Sequence, residues 1–270
     1  MTTSDYLESL QNDLSRTIEA LDLQEGTNFT DIAEMAENGD ITTGGGGGLD
    51  WSVLGYSGTP QSIIDGYNYA LTIKNNWDAN QNIGSKFYED YKLVLMPLVD
   101  TSASTSFLNA FAYCVSLIEI PLLNTTNVTS MSSMFQNCYS LTTIPQLDTS
   151  NVTDIGSMFA SCYSLTGIPQ LNTGKVTKMG SMFQNCKSLT TVPSLDTSRV
   201  TYFSNMFRYD TMLNDTSLDN ILSMCINATS YNGTKTLYEL GLRGGDYPVS
   251  RIQTLPKYQD FISAGWTIGY

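Results

Sequence analysis

Apolar residues fall in fixed columns along this chain. Phenylalanine recurs at 87, 111, 135, 159, 183 and 207, always 24 residues apart. Cysteine keeps the same interval at 114, 138, 162 and 186. So do Leu117, Leu141, Leu165 and Leu189, Pro121, Pro145, Pro169 and Pro193, and Val128, Val152, Val176 and Val200. A fixed period of this length signals a solenoid, in which each unit covers its neighbour's apolar face. In the copy at 128–147, Met131, Met134, Phe135 and Cys138 stand at i, i+3, i+4 and i+7. That spacing predicts one face of a short helix, with Thr129 or Ser130 as its cap. Leu141, Ile144 and Leu147 predict a short strand, with Pro145 at its end or edge. Asp148 to Asn151 supply turn chemistry, repeated at Asn124, Asn172 and Asp196. The expected fold is an α/β solenoid of 24-residue coils, short helix plus short strand, stacked about 4.8 Å apart.

The pattern decays at both ends, as capping units require. Asp90 and Asp210 take the cysteine slot, Ser104 the valine slot, and Thr216 the isoleucine slot. Residues 87–214 are therefore the repeat body. Residues 49–86, with Trp51, Tyr56, Ile63, Tyr67 and Trp77, read as an N-terminal cap with a helix near 60–76. Residues 215–270 read as a helical C-terminal cap. Its expected helices carry Leu218, Ile221, Leu222 and Cys225, then Leu237, Leu240 and Leu242, then Tyr258, Phe261 and Ile262. Gly44 to Gly48 form a polyglycine hinge. Before it, residues 1–43 form a separate segment. Leu7, Leu10, Leu14, Ile18 and Leu21 lie at helical spacing there. A seam of about two heptads needs a partner, so this segment is expected either to pack as a helical hairpin or to dock or oligomerise.

Charge sharpens that boundary. The chain of 270 residues has a formal net charge of -13, and residues 1–40 hold ten acids against Arg16 alone. An acidic surface argues against nucleic acid as a partner. Histidine is absent, which removes the commonest general base and the commonest transition-metal ligand. No apolar run is long enough for a transmembrane helix, and the opening MTTSDYLESLQNDL lacks the basic start and apolar stretch of a secretory signal. Neither a membrane nor a cofactor is expected as a partner.

Candidate chemistry is sparse. Neighbouring coils bring equivalent cysteines within disulfide range, but Cys138 and its equivalents follow Phe135 on the buried face. They are expected as a reduced core ladder, without a CxxC pair or a metal. Met131, Met134, Met158, Met179, Met182 and Met206 are expected as core. The threonine columns at Thr125 and Thr129 are read as turn and cap bonding. Asp148 and Asp196 stand two coils apart, roughly 10 Å, at turn slots where capping explains them. No catalytic residue is assigned. Outward slots vary and include Tyr139, Tyr163, Lys187, Tyr202, Arg208 and Tyr209. Exposed tyrosines are rigid and amphipathic, which suits recognition, so these six form the candidate binding patch.

The stretch LDTSNVTDIGSMFASCYSLTGIPQL resembles the BspA-like leucine-rich repeat, the type also found in mycoplasma surface lipoproteins. The resemblance covers about 87–210, with nine slots recurring in phase. It implies a leucine-rich-repeat-like solenoid used in surface adhesion and protein contact rather than catalysis. The opening DYLESLQNDL helix, NFTDIAEMAENGDI and the glycines look like the start of phage minor structural and tail-fibre proteins. The ending PKYQDFISAGWTIGY is similar to the close of repeat-bearing phage proteins. These resemblances imply a virion appendage, docked to other virion proteins through residues 1–43, homo-oligomeric, and binding a host surface protein or glycan. A bacterial surface adhesin is the alternative expectation, and a polysaccharide-degrading virion enzyme a more distant one.

Overall fold

The computed structural model describes residues 69–70, 72–242 and 247–269. Leu7, Leu10, Leu14, Ile18 and Leu21, the polyglycine hinge and the cap residues before 69 lie outside the described residues. From residue 83 onward the chain winds into stacked coils. The Phe column at 111, 135, 159, 183 and 207 is fully buried, as are Cys114, Cys138, Cys162 and Cys186. Met131, Met134, Met158, Met179, Met182 and Met206 fill the space between them, all at most 1% exposed. Successive phenylalanine rings stack at 5.5 to 5.7 Å with interplanar angles of 1° to 13°.

The buried columns match the periodicity, but the backbone beneath them is not helical. The Met131–Cys138 stretch is a run of turns rather than an α-helix. Met131, Ser133, Phe135 and Asn137 donate their amides to Asp154, Gly156, Met158 and Ala160 of the next coil, at 2.8 to 3.0 Å. Met134, Gln136 and Cys138 bond backward, each to the carbonyl three residues before, and the Ser132 amide reaches back to Ser130 Oγ at 3.5 Å. The switch is made by residues with positive φ, Ser133 at 53° and Asn137 at 60°. The same two slots are left-handed in all six coils, at Ser85/Glu89, Asn109/Tyr113, Ser157/Ser161, Ser181/Asn185 and Asn205/Tyr209 as well. A left-handed residue turns its amide out of the helical path and toward the neighbour. The conformation costs roughly 1–2 kcal/mol per non-glycine residue, offset by the intercoil bonds it permits.

The predicted strand is also modified. Residues 141–147 are extended but form no continuous ladder. Parallel pairing is limited to isolated bridges, chiefly a row through Ser106, Ser130, Asp154, Lys178 and Tyr202. Thr129 lies beside that row and caps nothing. Its Oγ1 and its amide both donate to the carbonyl of Thr105, a bond pair repeated by Thr153, Thr177 and Thr201. Thr125 and its equivalents at 101, 149, 173 and 197 are buried. Thr101, Thr125, Thr149 and Thr173 donate Oγ1 to the backbone carbonyls of Asn124, Asp148, Asn172 and Asp196 respectively, at 2.9 Å.

At the end of the stack, α1 (Asp215–Asn227) stands in for a further coil. It buries Leu218, Ile221, Leu222 and Cys225 as expected, and Asn214 caps it by accepting from the Ser217 amide. Thr197 Oγ1, which has no next turn to reach, donates to Met224 O instead. Val192 N likewise donates to Ser217 Oγ. The expected helix at Leu237, Leu240 and Leu242 is a turn. Asn205 and Phe207 donate to the Glu239 and Leu240 carbonyls, so these residues continue the stack. Gly241, at φ 92°, allows that approach, since a Cβ there would lie 2.6 Å from the Arg208 backbone. Two short helices follow, α2 (Val249–Gln253), which the periodicity did not indicate, and α3 (Tyr258–Ser263). Phe261 of α3 is buried, whereas Ile262 is 40% exposed rather than core.

Candidate recognition surface

The outward slots of the repeat place side chains in parallel rows. Tyr139 and Tyr163 are equivalent residues of adjacent coils, and their rings stack at 4.6 Å and 3°. Lys187, the next residue of the row, sets its ammonium 4.5 Å from the Tyr163 ring centre. Asn185 Nδ2 donates to the Tyr163 hydroxyl at 3.3 Å. A partly desolvated cation over an aromatic face adds about 0.5–2 kcal/mol, so the row is held in one arrangement. Burial and the neighbouring Tyr163 and Tyr113 hydroxyls push the Tyr139 phenol upward, keeping it a hydrogen-bond donor.

The six candidate residues do not all share one row. Tyr139, Tyr163 and Lys187 are in direct contact. Arg208 stacks on Tyr209 at 4.7 Å in the next coil, where the Arg208 carbonyl accepts the Asn185 amide at 2.7 Å. Tyr202 belongs to the bridge row beside Lys178, and its ring lies on Gly180. Lys178 in turn pairs with Asp154 at 3.2 Å. The side chains at 202 and 139 leave the coil from different segments, which the linear list of variable slots did not separate. Two tyrosines were missed. Tyr88 and Tyr113 meet edge to face at 5.6 Å and extend the aromatic surface toward the first coil. Reading the slot before each cysteine, rather than only the one after, would have found Tyr113.

The remaining reactive groups are spent on structure. All five cysteines are free and buried. Cys114, Cys138, Cys162 and Cys186 each donate Sγ to the Phe carbonyl of the preceding coil at 3.0 to 3.1 Å. Burial pushes the Cys114 thiol to about 12, and Cys138 and Cys162 well above their ordinary value. Such thiols are poor nucleophiles. Asp148 and Asp196 accept the Ser150 and Ser198 amides at 2.9 Å, which holds both carboxyls below the usual range. Among the described residues there is no cluster of three or more His, Cys, Asp or Glu suited to a metal ion. No helix among them is long and apolar enough to cross a membrane.

The model of one protein family, described as "Mycoplasma protein of unknown function, DUF285", matches residues 101–221 and 166–236. Among solved structures, the chain is similar to a leucine-rich repeat protein of T. pallidum (TpLRR). The two are 19% identical over 52% of this chain and 74% of that one, with a TM-score of 0.38. No curated protein matches.

Proposed function

The chain belongs to the DUF285 family, and from that premise we propose that it is a non-catalytic recognition protein whose repeat body presents an aromatic surface to a host-surface protein or glycan. The observation that carries this reading is the Tyr139–Tyr163 stack under Lys187. Tyr139 is 37% exposed although it packs against a neighbour, while the cysteines, methionines and phenylalanines of the same coils are spent on the core. Aromatic side chains held rigid at a surface lose little entropy on binding and form hot spots. The triple variant Tyr139→Ala/Tyr163→Ala/Lys187→Ala is expected to weaken adsorption to bacterial host cells roughly thirtyfold, the effect of one strong hot spot. Its thermal midpoint should fall by only about a few degrees, as loss of the cation–aromatic contact requires, with the fold intact. Unchanged adsorption with an intact fold would remove the aromatic surface from this role.

The finer reading places the protein on a phage particle. It is supported by the resemblance of the opening and closing segments to phage structural proteins and by the acidic segment before the glycine run. In this reading residues 1–43 dock to other virion proteins and join copies of the chain into a homo-oligomer. Mass spectrometry of purified particles should find the chain, and deleting residues 1–43 should abolish its incorporation. Its absence from particles, with retained adsorption to cells, would favour the bacterial surface adhesin instead.

A further inference from the structure

A second surface of the solenoid is built differently from the aromatic row. Where the extended segments end, an open groove of about 670 Å³ crosses three successive coils. Two rows of side chains line it, Gln146, Gln170 and Ser194 in one and Asp148, Asn172 and Asp196 in the other. The same slots continue beyond the groove toward the first coil as Leu122 and Leu98 in the first row and Asn124 and Asp100 in the second.

The hydrogen-bond inventory of the first row is one-sided. Gln146 Nε2 donates to Gln170 O at 2.7 Å and to Leu147 O at 3.3 Å. Gln170 Nε2 donates to Ser194 O at 2.9 Å and to Leu171 O at 3.3 Å. Both amide hydrogens of each carboxamide are spent, which leaves two Oε1 acceptors one coil apart. In the second row every Oδ1 accepts the amide two residues on, at 2.9 to 3.3 Å. The remaining atom alternates along the row: carboxylate oxygen at Asp100, Asp148 and Asp196, amide donor at Asn124 and Asn172. Acceptor and donor thus alternate from coil to coil, with a full repeat of roughly 9.6 Å. On the first row the polar positions pass into Leu122 and Leu98, which are 63% and 46% exposed.

We propose that this groove binds an uncharged, extended β-1,4-linked glycan strand. Such a strand advances by about one coil per sugar. Each sugar is turned over relative to the last, so the same edge recurs at every second unit, as the Asp/Asn alternation does. Its hydroxyls are donors for the Gln and Asp oxygens and acceptors for the Asn172 amide, and a longer strand leaving the groove can lay its C–H faces on the exposed Leu122 and Leu98. Fixed carboxylates exclude anionic polymers. An extended peptide advances about 3.4 Å per residue and falls out of register with coils 4.8 Å apart. This site is independent of the aromatic row.

The test is calorimetric titration of the full chain with cellohexaose, maltohexaose and spermine. Cellohexaose should bind, and maltohexaose, whose α-linkages curl the chain, should bind at least about tenfold more weakly, the loss expected from one or two hydrogen bonds. Gly174→Arg should abolish binding. Position 174 lies in the groove with no atom nearer than 3.6 Å to an added Cβ, so the fold tolerates the change, which a melting curve checks. Asp148→Ala/Asp196→Ala should weaken binding by about tenfold. Tyr139→Ala/Tyr163→Ala should leave it unchanged, which keeps failure here distinct from failure of the aromatic-surface reading. No heat with cellohexaose, equal affinity for maltohexaose, or binding of spermine alone would each overturn the proposal.

Discussion

Replacing Phe159 with alanine is expected to lower stability by about 3–5 kcal/mol, the range for deleting a fully buried phenylalanine. The ring is 0% exposed and lies between Phe135 and Phe183, 5.7 Å from each and 8° from parallel to each. In a stacked array each coil contacts chiefly its neighbours, so a cavity at the middle weakens two interfaces at once. The backbone bonds of the coil are untouched: Phe159 N still donates to Met182 O, and Phe159 O still accepts the Cys186 thiol. The loss is therefore one of packing. Phe87→Ala should cost less, because that ring is 5% exposed and stacks on Trp77 at the looser distance of 6.3 Å. Urea unfolding followed by circular dichroism measures both. A Phe159→Ala midpoint equal to that of the parent, or a larger loss at Phe87, would contradict a core organised around this column.

The same column shows how far sequence patterning reaches. The 24-residue period identifies which side chains are buried, because burial depends on the slot and not on the backbone beneath it. It does not distinguish an α-helix from the actual coil, since both bury i, i+3, i+4 and i+7. What separates them is where the amides go. The clue lay in Ser133 and Asn137 and their equivalents, because Asn is enriched among left-handed residues. Glu89, Tyr113 and Tyr209 obscured the column. The binding rows were legible only in part. Tyr139, Tyr163 and Lys187 share one slot and were brought together. Tyr202 was separated because side-chain direction depends on the turn geometry that the period leaves open. The groove is not legible in the sequence because turn capping alone accounts for Asp148 and Asp196. The alternation with Asn124 and Asn172 emerges once the coils are stacked.

Asp210 carries the other large expected effect. It occupies the cysteine slot of the last coil and is 2% exposed. Its Oδ1 accepts the Cys186 amide at 2.7 Å, but its Oδ2 is buried without a partner. In the preceding coils the side chain at this slot donates to the earlier Phe carbonyl, as Cys186 does to Phe159 O. An ionised carboxylate cannot continue that series, because it has no hydrogen to give to Phe183 O. Burial accordingly pushes the Asp210 carboxyl well above its ordinary value. The unfolded chain releases this proton near pH ~3.9, whereas the folded chain keeps it to higher pH. Between those two values the folded state binds more protons, so stability falls as pH rises. The stabilisation is complete below the unfolded value and is lost by the time pH passes the raised folded value. Asp210→Cys restores a donor of the size the column uses, and Asp210→Asn supplies a neutral one. Both are expected to raise stability at neutral pH by about 1–3 kcal/mol, the cost of an unsatisfied buried polar group. Both should also flatten the decline above pH ~4, where the unfolded carboxyl ionises. Urea titrations of parent and variants at a series of pH values measure this directly. A decline of equal slope in Asp210→Asn would assign the pH dependence to other groups and leave Asp210 as an ordinary capping acid.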